Sequence, residues 1–176
     1  MAMESRAKLL GHSIHQQLIV FPLGLLATAV LFDLLHLAFD WPGLATAAYY
    51  MIAAGIISGL LAAVFGAIDW AAIPSGTRAK SVGTVHGLGN VIVVALFAIA
   101  WFLRDTREDP STMVVVLEVA AAGLSLATAW LGGELVARLG VGVTPGAHLD
   151  APSSLSTDSI GRPDEGRGRP NDLARG

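Results

Sequence analysis

Two histidines occupy matching places in this chain. His15 and His86 each stand at the amino-terminal end of a long apolar stretch, in the first and third of four such stretches. If the stretches cross a membrane in alternating directions, both side chains lie at the same face. An ionisable side chain at membrane depth is costly and marks a candidate functional site. Two neutral imidazoles that approach one iron atom from opposite sides can ligate haem, so the pair predicts haem b bound through His15 and His86.

Other interpretations of the same pair remain open. Histidines near helix ends also anchor a helix in the headgroup region or form hydrogen bonds across a helix bundle. Two imidazoles can also hold a single metal ion or carry a proton. The residue types alone do not separate these three roles.

Three further polar residues are predicted at the same end of the apolar stretches as the histidines. A carboxylate or amide beside a ligating histidine orients its ring and fixes its tautomer. We therefore predict a cofactor-binding site in which the histidines are joined by Asp69, Asn90 and Glu134. A second and sparser polar layer is expected towards the opposite end, formed by Asp33, His36 and Glu118.

The elements that must position these residues are the four apolar stretches. They cover residues 16–39, 45–70, 82–103 and 112–139 approximately. Each has about 20 residues or more, enough for an α-helix to cross roughly 30 Å of hydrocarbon. Since lipid cannot satisfy exposed backbone groups, we predict that all four are helices. Short connections make neighbours antiparallel, which gives an all-α fold: an integral membrane bundle of four transmembrane helices running up-down-up-down.

In such a bundle the first and third helices are diagonal, so His15 and His86 face each other across the interior. Glycines recur on one face of the second helix at Gly55, Gly59 and Gly66. This small-residue stripe predicts close packing against a neighbouring helix.

The composition agrees with a membrane protein and excludes several functions. Hydrophobic residues make up 53% of the 176 residues and charged residues 14%, with a mean hydropathy of +0.62. An average soluble domain has about 25% charged residues. The absence of cysteine excludes disulfides, thiolate metal ligands and iron–sulfur centres. The net charge of −3 gives no basic surface for nucleic acid, and phosphate loops, zinc-protease motifs and nucleophile elbows are missing. We expect no enzymatic activity from this chain on its own.

The chain divides into three predicted parts. Residues 1–14 form an amino-terminal segment, residues 15–143 the membrane domain, and residues 144–176 a polar tail that is expected to be disordered. One side of the membrane receives Arg6, Lys8, Arg78, Lys80 and Arg138, and the other receives Arg104 and Arg107. The excess of basic residues favours a multi-pass protein with both termini in the cytoplasm.

A series of short motifs runs along the membrane domain in a recognisable order. They are His15 with Phe21-Pro22-Leu23-Gly24-Leu25, Asp33-Leu34-Leu35, Gly66-Ala67-Ile68-Asp69-Trp70, His86 with Asn90, Trp101 with Arg104, and Gly132-Gly133-Glu134-Leu135 before Gly140-Val141-Gly142-Val143. Together they resemble the bacterial membrane family known as domain of unknown function 2231, over about residues 10 to 145.

The resemblance implies a four-helix domain of the bacterial cytoplasmic (inner) membrane. In some bacteria similar domains are fused to Rieske-type iron–sulfur or cytochrome c domains. Such fusions imply electron transfer, a bound haem and a Rieske-type or cytochrome redox protein as partner. We therefore expect an electron-transfer subunit in the lipid bilayer, alone or as an oligomer. The alternative is a non-catalytic scaffold or partner subunit whose polar residues are structural, or a site for a metal ion or a proton.

Overall fold

The computed structural model describes residues 2–104 and 109–156. Within them the secondary structure is almost entirely helical. The elements in chain order are β1 (Lys8–Leu9), β2 (His12–Ser13), α1 (Ile14–Leu18), α2 (Val20–Phe39), α3 (Leu44–Ala72), α4 (Arg78–Phe102) and α5 (Thr112–Ala137). Since α1 and α2 follow one another across Ile19, they form one membrane-length helix, Ile14–Phe39. We call this helix the first span, and α3, α4 and α5 the second, third and fourth spans.

All four spans are long and apolar enough to cross a membrane, which confirms the prediction of four helices. They have 26, 29, 25 and 26 residues. Their outward faces carry large exposed apolar side chains, such as Ile57, Leu88 and Leu126. This surface suits hydrocarbon because lipid penalises exposed polar groups and tolerates exposed apolar ones.

The helix ends follow local chemistry that apolar length alone does not reveal. The third span begins at Arg78, four residues before the predicted start, because the Thr77 hydroxyl accepts a hydrogen bond from the Lys80 amide at 3.1 Å. Ser111 caps the fourth span in the same way, accepting from the amide of Val114. The first span is interrupted at Ile19 because Pro22 has no N–H to donate to the preceding turn.

The spans pack as two hairpins that join into a four-helix bundle. The first span contacts the second most extensively, and the third contacts the fourth. The hairpins meet along two further seams, between the second and third spans and between the first and fourth. The first and third spans are therefore diagonal, as predicted. The densest apolar core includes Leu26, Ile52, Val93, Phe97 and Ala121.

The segments outside the spans cover one end of the bundle. The amino-terminal strands form a two-residue antiparallel ladder, with Lys8 opposite Ser13. Met3 pairs with Val141 just beyond the fourth span. Residues 144–156 form turns with exposed side chains, and the Ser154 hydroxyl donates to the Leu10 carbonyl at 3.0 Å. The rest of the tail predicted to be disordered, residues 157–176, lies outside the described residues.

Candidate functional site

The two histidine rings meet across the diagonal of the bundle. Their centroids are 6.5 Å apart, and the ring planes are nearly perpendicular at 89°. His15 lies in the first turns of the first span, and His86 lies about two turns into the third. Both residues are half-buried. The structure thus brings together the two side chains that the sequence identified, and we call them the histidine layer.

Each imidazole is fixed by a main-chain carbonyl of the neighbouring span. His15 Nδ1 is 2.9 Å from the Ala62 carbonyl oxygen, and His86 Nδ1 is 2.9 Å from the Thr128 carbonyl oxygen. A carbonyl only accepts, so Nδ1 must carry the hydrogen in both rings. In the neutral form the lone pair is then on Nε2. This hydrogen bond is the one that metal-ligating histidines characteristically make.

A glycine makes room for each ring. A Cβ added at Gly66 would lie 2.9 Å from His15 Cε1, and one added at Gly132 would lie 3.1 Å from His86 Cε1. A real Cβ does not approach another atom as closely as 2.9 Å, and 3.1 Å is tighter than most Cβ contacts. A side chain at Gly66 or Gly132 would therefore push against the adjacent imidazole, so both glycines leave room for the rings.

The two hairpins present their histidines in the same way. The glycine follows the residue whose carbonyl accepts from the histidine by four positions in both hairpins, as Ala62 with Gly66 and Thr128 with Gly132. The spacing continues to the other end of the bundle, where Asp33 follows His15 by 18 residues and Arg104 follows His86 by 18. The histidine layer is thus built from two equivalent halves.

Asn90 lies beside His86, as predicted. Its Nδ2 donates to the His86 carbonyl at 2.8 Å and is 3.3 Å from His86 Nε2. Its Oδ1 accepts from the hydroxyl of Thr128 at 3.1 Å. Asn90 therefore links the third and fourth spans at the level of the histidine ring.

Asp69 is placed differently, because its carboxylate binds the amino-terminal segment. It accepts hydrogen bonds from the Ser5 hydroxyl at 2.8 Å, the Arg6 amide at 2.7 Å and the Ser13 hydroxyl at 3.4 Å. Asp69 and Ser5 are both buried. The carboxylate thus holds residues 5–13 over the end of the bundle, next to the histidine layer.

Glu134 also has a partner other than a histidine. It forms an ion pair with Arg78 at 2.6 Å, which connects the end of the fourth span to the start of the third. Lys80 lies over the Trp70 ring, 3.6 Å from its centroid. Of the three predicted supporting residues, Asn90 is the one whose hydrogen bonds reach a histidine within the described part of the chain.

Small and polar residues lie around the histidine layer. Several of them are half-buried, including Pro22, Gly59, Gly66, Asn90 and Ser125. Residues 2–104 and 109–156 contain no group of three or more His, Cys, Asp or Glu side chains that could hold a metal ion. A ligand at this layer would therefore rely on the two imidazoles alone.

The opposite end of the bundle contains the predicted second polar layer, with Arg104 as an additional member. Arg104 turns inward and forms ion pairs with Asp33 and with Glu118, the latter at 3.0 Å. All three side chains have no exposed area. We call these three residues the charged layer. His36 lies nearby, with Nε2 2.5 Å from the carboxylate of Asp109.

The count of basic residues places Arg104 outside the membrane because it follows the last apolar residue of the third span. In the sequence, Arg104 also continues the helical stripe of His86, Asn90, Val93 and Phe97, which indicates that its side chain faces inward. Arg107, counted on the same side, lies outside the described residues.

A known protein family covers the membrane-spanning part of the chain. No curated protein and no solved structure matches the chain. The family described as predicted membrane protein (DUF2231) matches residues 11–145, which cover the four spans and both polar layers. The chain therefore belongs to the DUF2231 family of predicted membrane proteins.

Proposed function

We propose that this protein is an electron-transfer subunit that binds b-type haem between the first and third spans through His15 and His86. The observation that carries the proposal is the pairing of two half-buried imidazoles from diagonal spans, with ring centroids 6.5 Å apart. When bound, the haem iron would accept and release one electron. The other residues of the site position the two histidines.

The spacing and chemistry of the rings support the proposal. Imidazole nitrogens bind metal ions at about 2 Å, so two rings on one ion have centres roughly 6 Å apart. The observed 6.5 Å is close to that separation. The Nδ1 hydrogen bonds to the Ala62 and Thr128 carbonyls leave the lone pair on Nε2 in both rings, and this nitrogen is the one that would bind the iron.

The residues around the rings support it as well. Backbone hydrogen bonds at Nδ1 fix each ring and raise the basicity of the opposite nitrogen. The amino-terminal segment, held by Asp69, covers this end of the bundle and limits access of water.

The surroundings of this end suggest where the protein works. Arg6, Lys8, Arg78 and Lys80 lie at the histidine end of the spans. By the positive-inside rule this end, with the amino terminus, faces the cytoplasm of a bacterial inner membrane. A Rieske-type or cytochrome protein of the same membrane is the proposed redox partner.

The test is optical spectroscopy of the full chain purified in mild detergent after expression with ample haem. We expect a Soret band at one haem per chain and a reduced-minus-oxidised difference spectrum typical of b-type haem. His15→Ala and His86→Ala should each abolish or shift the band. The matched control is His12→Ala, because His12 is exposed and its ring is bonded to the Leu10 carbonyl.

The alternatives give different results in the same preparation. Absence of a Soret band, with both alanine variants only modestly less stable, would favour a scaffold or partner subunit. Stoichiometric metal by elemental analysis without a chromophore would favour a metal-ion site. Either result contradicts the haem proposal.

A further inference from the structure

The charged layer carries more negative than positive groups. Asp33 and Glu118 supply two carboxylates, and Arg104 supplies one guanidinium. All three side chains are fully buried within the bundle. An uncompensated charge in such surroundings is strongly disfavoured. Full ionisation would leave this layer with one negative charge too many.

Two oxygen atoms in the layer have no hydrogen-bond partner. Asp33 Oδ1 and Glu118 Oε2 are buried and unpaired, as is Arg104 Nε, whereas the other oxygen of each carboxyl group accepts from Arg104 Nη2. The two carboxyl groups contact the same guanidinium nitrogen, Arg104 Nη2, and therefore lie close together. Ionised carboxylates only accept, so they cannot bond to one another. A single proton on either group would create an O–H donor and pair both oxygens.

The neighbouring elements do not supply a second free cation within the described residues. The second span contributes the Ala45 carbonyl, which accepts from Arg104 Nη1 at 3.2 Å. On the first span, His36 is bonded to the Trp41 carbonyl and to the carboxylate of Asp109. A charge on His36 is therefore balanced mainly by Asp109, which leaves a weaker attraction to Asp33.

We propose that Asp33 and Glu118 share one proton, which makes the charged layer a proton-binding site inside the bundle. One proton and one guanidinium balance two carboxylates, so the layer is neutral. The proposal rests on the charged layer alone and is independent of what the histidines bind.

The first experiment uses the wild-type chain in detergent and needs no substitution. Infrared spectroscopy detects the C=O stretch of a protonated carboxylic acid, which shifts in D₂O. We expect this band at neutral pH. Carboxyl ¹³C labelling of aspartate, and separately of glutamate, should shift it. Absence of the band at neutral pH would overturn the proposal.

In the second experiment an amide N–H takes the place of the shared proton as the hydrogen-bond donor. In Glu118→Gln the amide N–H can donate to Asp33, so one carboxylate remains opposite one guanidinium. We expect the infrared band to disappear while thermal stability at neutral pH is kept or increased. The matched variant Glu118→Ala removes the donor and should lower thermal stability. A band unchanged in Glu118→Gln, in a protein that still unfolds cooperatively, contradicts the shared proton.

A bound alkali cation is the competing way to neutralise the layer. The thermal stability of the wild-type chain should then rise with Na⁺ or K⁺ at constant ionic strength, and this rise should vanish in Glu118→Gln. That result would overturn the proposal. Equal stability in sodium, potassium and choline salts is the outcome that the shared proton requires.

Discussion

The histidine layer and the charged layer lie at opposite ends of the same four spans, and they are packed in opposite ways. The histidines are half-buried, bonded to main-chain carbonyls and surrounded by small residues. The charged layer is fully buried and bonded to itself. Large side chains such as Ile52, Phe97 and Val114 have almost no exposed area in that half of the bundle.

The difference separates two uses of polar residues in a membrane bundle. The charged layer connects the first, third and fourth spans and closes that end, so its groups depend on one another. Each histidine depends mainly on the partner span of its own hairpin, and the two rings meet without a hydrogen bond between them among the described contacts. The charged layer joins three spans through ion pairs, whereas the histidine layer holds two imidazoles close together.

The largest effect is expected from removing the cation of the charged layer. Arg104→Ala leaves two buried carboxylates without their partner, and breaking a buried ion pair in this way costs about 3–5 kcal/mol. Thermal or denaturant unfolding in detergent measures the loss. The comparison is Arg78→Ala, because Arg78 is 62% exposed in its pair with Glu134 and such pairs contribute up to about 1 kcal/mol. Equal losses of stability in the two variants would show that the buried charged layer contributes no more to stability than the exposed pair at the histidine end.

An intermediate effect is expected from filling the space beside a histidine. Gly66→Ala and Gly132→Ala push a methyl group against the imidazole, and such overpacking costs about 1–3 kcal/mol. Gly66 should be the more sensitive because its added Cβ is closer to the ring. In haem-loaded protein both variants should shift the absorption spectrum.

The control for this prediction is the adjacent glycine of the fourth span. A Cβ at Gly133 meets nothing within 4 Å, so Gly133→Ala should keep both stability and spectrum. A response at Gly133 as large as that at Gly132 would show that helix flexibility, and not ring contact, explains the losses.

A smaller and local effect is expected from Asp69→Asn. The amide keeps the shape of the carboxylate but loses its charge. Charge-assisted hydrogen bonds are roughly twice as strong as neutral ones, so the expected loss is about 1 kcal/mol. Faster hydrogen exchange at the Arg6 amide would report release of the amino-terminal segment. Asp40→Asn is the control, since Asp40 is exposed and in the left-handed conformation that asparagine also tolerates. Unchanged exchange at Arg6 would mean that the segment is held by other contacts.

The smallest effect concerns Glu4 and Lys8 on the outer surface of the same segment. The Lys8 ammonium, 2.5 Å from the Glu4 carboxylate, holds the pKa of Glu4 below its ordinary value of 4.5. The pair therefore contributes fully above pH 4.5, and its contribution is lost as the pH falls through the lower folded-state pKa. An NMR titration of Glu4 should show that its pKa returns towards 4.5 in Lys8→Gln. An identical Glu4 titration in the wild type and in Lys8→Gln would show that Lys8 does not lower the pKa of Glu4.

Several features of the fold follow from the sequence because they depend on local pattern. Apolar length predicts the four spans, and helical periodicity predicts that Asp33 faces inward. The diagonal placement of His15 and His86 follows from four spans joined by short connections. Each of these inferences uses apolar length, helical periodicity or loop length, which can be read along the chain.

The remaining features depend on partners far away in the chain. Ser5 and Asp69 are 64 residues apart, and no local pattern connects a hydroxyl before the first span to a carboxylate at the end of the second. Arg104 follows the apolar residues of its span, so composition assigns it to the exterior, whereas its long side chain reaches back to buried carboxylates. Gly66 belongs to the predicted packing stripe, but the sequence does not show that it makes room for the His15 ring. Nor does it show that Gly132 makes room for the His86 ring.

The equal spacing in the two hairpins has a further consequence for symmetry. Because the first and third spans run in the same direction, the hairpins are related by a rotation about an axis along the bundle. A homodimer of one hairpin would place every residue opposite its own copy. This suits two imidazoles, but it would set Asp33 against a second aspartate. A single fused chain removes that restriction, since position 104 can be arginine while position 86 stays histidine. The covalent link between the hairpins allows the bundle to be symmetric at one end and complementary in charge at the other.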